Sequence, residues 1–124
     1  MRPVSATLTP QELELMKIVW QKRQATVRDV FETLLEHRKI AYTTVMTTMR
    51  VLERKGYVKA NRVDRAFVYS PARPERQVLR AMVREFVDRV FNGSAQPLLV
   101  HLVEDRRLSS KQLDEIERLI REAE

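Results

Sequence analysis

The segment from residue 41 to residue 55 holds the side chains whose types and spacing could do chemistry. It reads AYTTVMTTMRVLERK, and a helix would place Val45, Met49 and Leu52 together on one apolar face. The opposite face then presents Thr43, Thr47, Arg50 and Arg54, with Thr44 and Met46 alongside. Such a face suits the DNA major groove, because arginine binds guanine O6 and N7, threonine hydroxyls bond base edges or phosphates, and methyl groups touch thymine.

The expected roles follow from position along this helix, since the N-terminal half of a recognition helix usually makes base contacts and its flanks hold the DNA backbone. The residues expected to read bases are Thr43, Thr44, Met46 and Thr47. Arg50 is expected at a base or a phosphate, and Arg54 and Lys55 at phosphates. A solvated structural surface is the alternative, although glutamate, lysine or glutamine would form a helix more readily than threonine.

Three further arginines are candidates for DNA contacts. Arg62 and Arg65 lie near the tip of a predicted hairpin, where they can reach a phosphate or an adjacent minor groove. Charged residues at a hairpin tip also keep an exposed sheet edge soluble, so both interpretations stay open. Arg28, in the first turn of a predicted helix, could contact the DNA backbone or be a solvated surface charge.

Positive charge is concentrated in the first part of the chain. The 124 residues include 23 Lys and Arg against 17 Asp and Glu, a net charge of +6. Residues 1–74 hold 14 basic and 7 acidic groups, whereas residues 75–124 hold 9 and 10. Within the first part, residues 38–73 alone hold 9 basic and 2 acidic groups. This distribution is typical of a surface that binds a polyanion, although a solvated basic surface would show it too.

Capping and periodicity signals predict three helices before residue 56, at about 9–22, 26–36 and 42–55. The first begins at Thr9, a capping residue that is followed by proline and, three residues on, by glutamate. The third stops at Gly56, a residue type expected just past a helix end.

The period then changes to that of β-strands. Residues 57–63 and 66–70 are rich in β-branched and aromatic side chains and flank Asp64-Arg65, which predicts two antiparallel strands joined by a tight turn. Three helices followed by a basic hairpin define a winged helix-turn-helix domain over residues 1–73.

Residues 74–124 show three amphipathic helical stretches that are too short to close a large core of their own. Such helices usually pack against a second copy of the chain, although they could also pack back onto the first domain. The residues expected at a dimer interface are Leu79, Met82, Phe86, Val90, Leu98, Leu102, Leu113, Ile116, Leu119 and Ile120. The predicted fold class is mainly α, a winged-helix domain followed by a three-helix dimerisation region.

Other protein classes are excluded by what the sequence lacks. The absence of cysteine excludes a disulfide framework and a thiolate metal cluster. The first ten residues, MRPVSATLTP, lack the apolar run of a signal peptide, so a cytoplasmic protein is expected. His37 and His101 have neither HExxH spacing nor a glycine-rich phosphate loop around them, and we expect no enzyme, no metal and no cofactor.

The chain resembles the BlaI/MecI/CopY family of penicillinase-type repressors, and the resemblance spans nearly its whole length. It is carried by the opening helix from Leu8 to Trp20, by the segment Ala41–Thr47, by Phe67–Tyr69 and by Phe91–Gly93. The resemblance implies a homodimeric winged-helix repressor that binds inverted repeats of double-stranded DNA in promoters, its own included. Thr43 and Met46 stand where the staphylococcal members carry basic residues, which implies a different operator sequence.

The resemblance also implies an inducing partner. In this family a membrane-bound sensor protease of the BlaR1/MecR1 type, activated by β-lactam, cuts the repressor in its dimerisation region. The matching bond is His101–Leu102, where the staphylococcal members have Asn-Phe; Leu102 as an interface residue only is the alternative. Because the chain has no cysteine, the metal motif of the copper-responsive branch is excluded.

Two alternatives from other classes remain. A winged-helix regulator of another family would sense a small ligand between its dimerisation helices, and a ligand-dependent change in thermal stability would support it. A winged-helix protein-interaction module would present an acidic or apolar third-helix face, and this sequence has neither.

Overall fold

The computed structural model describes residues 7–123, so residues 1–6, which begin the segment compared with a signal peptide, lie outside it. Within the described range the chain forms six helices and one two-stranded sheet. In chain order these are α1 (Pro10–Lys22), α2 (Val27–Leu35), α3 (Tyr42–Arg54), β1 (Val58–Val63), β2 (Ala66–Pro71), α4 (Glu75–Phe91), α5 (Gln96–Glu104) and α6 (Ser110–Ala123). The predicted fold class, mainly helical with a winged-helix domain first, is confirmed.

The first two helices begin at the capping residues that the sequence predicts. The Thr9 hydroxyl accepts the Glu12 N–H at 3.1 Å, and a Glu12 carboxylate oxygen accepts the Thr9 N–H at 2.9 Å. Thr26 and Asp29 form the same reciprocal pair at 3.1 and 2.9 Å. Each pair satisfies two backbone donors that would otherwise be unbonded, which explains why the helices begin there.

The third helix ends in a Schellman motif at Gly56. The Gly56 N–H donates to the Glu53 carbonyl at 3.0 Å and the Tyr57 N–H to the Leu52 carbonyl at 2.9 Å. Gly56 has φ +84°, a left-handed conformation that glycine adopts without steric cost. The chain therefore leaves α3 in a fixed direction and enters β1 two residues later.

The two strands and their connecting turn form the wing. They pair antiparallel, with Val63 opposite Ala66, so that Asp64 and Arg65 alone make the turn. Both turn residues have positive φ, +48° and +70°, as a type I′ turn requires. The base of the wing joins the helices through Ala25, whose N–H donates to the Tyr69 carbonyl at 2.9 Å and whose carbonyl accepts the Tyr69 N–H at 2.8 Å.

The core lies between α1, α2, α3 and the base of the wing. Its fully buried large side chains come from the predicted apolar faces, and they are Leu15, Met16, Val19, Val30, Leu34, Val45, Met49 and Leu52. Tyr57 and Tyr69 close the core on the wing side. Burial of this set holds α3 by one face and leaves its opposite face to solvent.

Contacts divide the chain into two compact units, the first ending at Met82 and the second starting at Val83. The first unit includes the start of α4, because Val78 is buried in its core and Met82 packs against that core. Met82 therefore has one partner surface within the chain, but it is only half-buried, and its place at a dimer interface stays a prediction. Leu79, which is half-buried, lies in the same unit.

The second unit consists of the rest of α4 together with α5 and α6. Ser109 caps α6: its hydroxyl accepts the Gln112 N–H at 3.1 Å, and the Gln112 side-chain oxygen accepts the Ser109 N–H at 2.9 Å. Neither α5 nor α6 contains a buried residue. This unit therefore leaves most of its apolar side chains in contact with solvent.

Candidate nucleic-acid interface

The reading face is the solvent side of α3, and the structure presents there the residues that the sequence indicates. Thr43, Thr47, Arg50 and Arg54 are exposed, while Thr44 and Met46 are half-buried beside them. Within residues 7–123 neither Arg50 nor Arg54 makes an ion pair. Both guanidinium groups are therefore available to an external anion or base edge.

A fourth threonine of α3, Thr48, faces inward, and the sequence pattern does not single it out. Its hydroxyl donates to the Thr44 carbonyl at 2.7 Å and accepts a hydrogen bond from the Gln11 side-chain nitrogen at 3.0 Å. Gln11 is the second residue of α1, so this bond links the start of α1 to the middle of α3. Thr48 lies three residues after Val45 and four before Leu52, the spacing that places it on the flank of the apolar stripe.

A groove of about 720 Å³, here called the wing groove, separates α3 from the wing. Three of the predicted DNA-binding arginines line it, one each from α2, α3 and the wing: Arg28, Arg50 and Arg65. One carboxylate, that of Glu53, lies in the same groove. The remaining lining side chains are Thr26, Val27, Tyr42, Met46, Ala60, Ala66, Phe67 and Tyr69.

The floor of the wing groove contains a neutral phenol. Burial raises the pKa of Tyr69 above its ordinary value, and the negative charge of Glu53 raises it further, whereas Arg50 acts in the opposite direction. Tyr69 is therefore protonated under ordinary conditions and adds no negative charge to the groove. Glu53 opposes part of the positive charge of the arginines.

Two aromatic side chains of this surface, those of Phe67 and Tyr42, are not predicted from the sequence. Phe67 of β2 is 56% exposed, and the Arg62 guanidinium carbon lies 6.0 Å from the centre of its ring. Tyr42, the first residue of α3, contacts Phe31 edge to face at 5.3 Å between ring centres. Both side chains are exposed on a surface that arginines line, and this position is evident only from the folded structure.

Arg28 lies at the edge of the wing groove in a weak surface pair. Its guanidinium is 3.4 Å from a Glu32 carboxylate oxygen, and the two side chains are 71% and 61% exposed. Exposed pairs of this kind contribute little to stability. Arg28 can therefore exchange Glu32 for an external anion at small cost.

Lys55 does not fit its predicted role. Its ammonium lies 2.8 Å from a Glu12 carboxylate oxygen and donates to the Thr7 carbonyl at 3.1 Å. The side chains of Lys55 and Glu12 are only 8% and 9% exposed. We correct the assignment of Lys55 to a phosphate, because moving this ammonium to DNA would leave a buried carboxylate unpaired.

Apolar side chains of the second unit remain exposed where a dimer interface is predicted. Phe86, Val90, Leu119 and Ile120 are 39%, 49%, 53% and 54% exposed. The half-buried members of the predicted set are Leu98, Leu102, Leu113 and Ile116. These residues have no buried core within their own unit to cover them.

The predicted cleavage bond lies inside α5. His101 is exposed, with its ring 6.0 Å from that of Phe91, and Leu102 is half-buried.

Among residues 7–123, no group of three or more His, Asp or Glu side chains could hold a metal ion, and no helix is long and apolar enough to span a bilayer.

Three helices with a two-stranded wing, an uncovered face on the third helix and arginines along the wing groove define a winged helix-turn-helix protein of the nucleic-acid-binding class. The chain belongs to the penicillinase repressor family, whose model matches residues 8–122. It is therefore a member of a family of DNA-binding transcriptional repressors and not an enzyme.

Individual relatives agree with this family. The transcriptional regulator BlaI of Mycobacterium tuberculosis is 36% identical over 115 residues, which cover 91% of this chain and 82% of that protein. The penicillinase repressor of Bacillus licheniformis is 24% identical over 115 residues, which cover 93% of this chain and 90% of the relative. A solution structure of monomeric B. licheniformis BlaI bound to the blaP half-operator superposes with a TM-score of 0.50 at 27% identity, over 60% of this chain and 90% of that one.

Proposed function

We propose that this protein is a dimeric, sequence-specific repressor that binds inverted repeats in promoters. The observation that carries the proposal is the reading face of α3, where Arg50 and Arg54 make no ion pair with any residue between 7 and 123. Arg50 also lines the wing groove, together with Arg28 and Arg65. The B. licheniformis relative described above was solved on a half-operator, which is the site that one copy of such a domain would occupy. A repressor of this kind acts where the chromosome is, in the cytoplasm.

The assignment of contacts follows the geometry. Thr43, Thr44, Met46 and Thr47, in the N-terminal half of α3, read base edges. Arg50 lies one turn further on and binds a guanine or a phosphate. The groups assigned to DNA phosphates are Arg28, Arg54, Arg62 and Arg65.

Dimerisation is proposed to occur through the second unit and the adjoining residues of α4 in the first unit. Aromatic and aliphatic side chains of α4 and α6 are exposed. Burying them between two copies would stabilise the dimer by about 25 cal/mol for each Å² of apolar surface removed from water. The proposed interface residues are Leu79, Met82, Phe86, Val90, Leu98, Leu102, Leu113, Ile116, Leu119 and Ile120. Two-fold symmetry then places the two reading helices about 34 Å apart, one turn of DNA.

Induction by a membrane-bound sensor protease of the BlaR1/MecR1 type is the finer part of the proposal, with β-lactam-resistance-type or related stress genes and its own gene as targets. His101–Leu102 is the candidate bond, and α5 has to open locally before a protease can bind it in extended form. Cleavage there would separate α6 from the rest of the chain and weaken the dimer.

Selection of binding sites from a random DNA pool, followed by footprinting, tests the central proposal. We expect the selected duplexes to contain an inverted repeat with half-sites about 10 base pairs apart or a multiple of that spacing. Selection of unrelated sequences, or of single half-sites only, would contradict it. Phe86→Glu and Lys111→Glu place the same carboxylate on an apolar and on a polar position, and only the first should give monomers and lose affinity.

A further inference from the structure

Beside the reading face lies a second, smaller depression, here called the threonine groove. Its volume is about 300 Å³, and it is lined by Gln11 of α1 and by Thr43, Thr44, Thr47 and Thr48 of α3. Gln11 is therefore the member of this groove that does not belong to the reading helix. Nothing in its sequence context singles it out, because its partner Thr48 is 37 residues away.

The hydrogen bonds of Thr48 fix the orientation of the Gln11 amide. The single hydroxyl proton of Thr48 goes to the Thr44 carbonyl, at 2.7 Å, so toward Gln11 this hydroxyl can only accept. The Gln11 side chain must then turn its NH₂ group to Thr48, at 3.0 Å. Its second N–H makes no hydrogen bond to any residue between 7 and 123 and remains free to donate.

The position of Gln11 beside α3, and not on it, determines which part of DNA it would meet. A helix with its side chains is about 10–12 Å across, and the major groove is about 12 Å wide, so α3 fills the groove. A side chain on the neighbouring helix then lies over the wall of the groove, which is the phosphate backbone. No carboxylate lines the threonine groove, so nothing there repels a phosphate.

We propose that Gln11, held by Thr48, donates a hydrogen bond to a DNA phosphate at the edge of the half-site and so sets the depth and register of α3 in the major groove. This inference rests on the proposed function, because it needs α3 to enter the groove. Gln11 donates from a neutral amide to the charged phosphate, whereas Arg54 and Arg65 are cations; the Gln11 contact therefore adds geometry more than electrostatic attraction.

The test uses the full-length protein and a duplex chosen by the selection experiment. Gln11→Ala should weaken binding roughly ten- to a hundredfold, the effect of one hydrogen bond to a charged group, on selected and random duplexes alike. Gln11→Glu should weaken it more, because a carboxylate repels the phosphate. Gln21→Ala changes an exposed glutamine near the other end of α1 and should leave affinity unchanged. Thermal unfolding of each variant checks that the fold is retained.

A duplex series with one neutral methylphosphonate at each backbone position locates the contact. At one backbone position, the methylphosphonate should weaken DNA binding by the wild type and by Gln21→Ala. The same methylphosphonate should not further weaken DNA binding by Gln11→Ala. The phosphate assignment is wrong if Gln11→Ala binds DNA as tightly as Gln21→Ala does. It is also wrong if the affinity lost by Gln11→Ala depends on the identity of one base pair. If the wild type itself fails to distinguish selected from random duplexes, the proposed function fails instead.

Discussion

The Lys55 ammonium and the Glu12 carboxylate form an ion pair of 2.8 Å that joins the end of α3 to the start of α1. The same Glu12 oxygen accepts the Thr9 N–H at 2.9 Å, so one carboxylate caps α1 and holds α3. The two residues are 43 positions apart in the chain. The reading helix is thus anchored at its C-terminal end by a buried charge pair as well as by its apolar face.

Breaking this pair should destabilise the protein. Lys55→Met leaves the Glu12 carboxylate buried without its cation, and we expect a loss of about 3–5 kcal/mol in the free energy of unfolding. Lys17→Met, on the exposed face of α1, should change stability by less than about 0.5 kcal/mol. Urea denaturation measures both. A phosphate-binding Lys55 would give the opposite pattern, with stability retained and DNA affinity reduced.

A second ion pair should make stability depend on pH. The Arg38 guanidinium bonds both oxygens of Glu14, at 2.8 and 3.2 Å, and these hydrogen bonds hold the pKa of Glu14 below its ordinary value of 4.5. The pair therefore stabilises the fold above pH 4.5 and this contribution is lost as the pH falls through the lowered pKa. The difference in the free energy of unfolding between wild type and Glu14→Gln should become smaller as the pH falls from 6 to 3. Urea denaturation at each pH measures this difference. A constant difference would show that the pair contributes nothing through its charge.

Arg50 should distinguish base reading from backbone binding. If its guanidinium binds a guanine, Arg50→Ala should cost about 1–3 kcal/mol of binding free energy and relax the preference at one base pair. Binding assays on duplexes that vary one base pair at a time measure this. Equal weakening on every duplex would instead identify Arg50 as a phosphate contact.

Glu53 should limit binding to DNA of arbitrary sequence. Its carboxylate lies in the wing groove with Arg28, Arg50 and Arg65, where it repels a phosphate backbone. We expect Glu53→Gln to raise the affinity for random duplexes. This gain should be several-fold larger than the gain for a selected duplex, most clearly at low salt. Glu36→Gln, at an exposed position outside the groove, is the control. Equal affinity of Glu53→Gln and wild type for random DNA would rule out this role.

The sequence predicts those parts of the fold that depend on near neighbours. Thr9 and Thr26 mark helix starts because their partners are three residues away. Asp64-Arg65 marks the turn because runs rich in β-branched and aromatic residues lie on either side of it. The outward face of α3 follows from the same periodicity.

Contacts between distant residues could not be predicted in this way. The sequence indicates a phosphate contact for Lys55 because its ion-pair partner, Glu12, is 43 residues away. The bond between Gln11 and Thr48 spans 37 residues and is equally invisible to local patterns. For Met82, periodicity shows an apolar face but does not show that part of this side chain packs against the core of the first unit. Glu53 and Phe67 take part in the wing groove only because the wing folds beside α3.

The most direct measurement is the affinity of the wild-type protein for a selected inverted repeat, compared with the same duplex after one half-site is scrambled. A symmetric dimer that reads two half-sites should lose at least a hundredfold in affinity at moderate salt, since each mismatched base pair costs about 1–3 kcal/mol. The affinity for the intact repeat should also fall steeply as salt rises, with a log–log slope of about −0.9 for each phosphate neutralised. Equal affinity for the two duplexes would contradict the account.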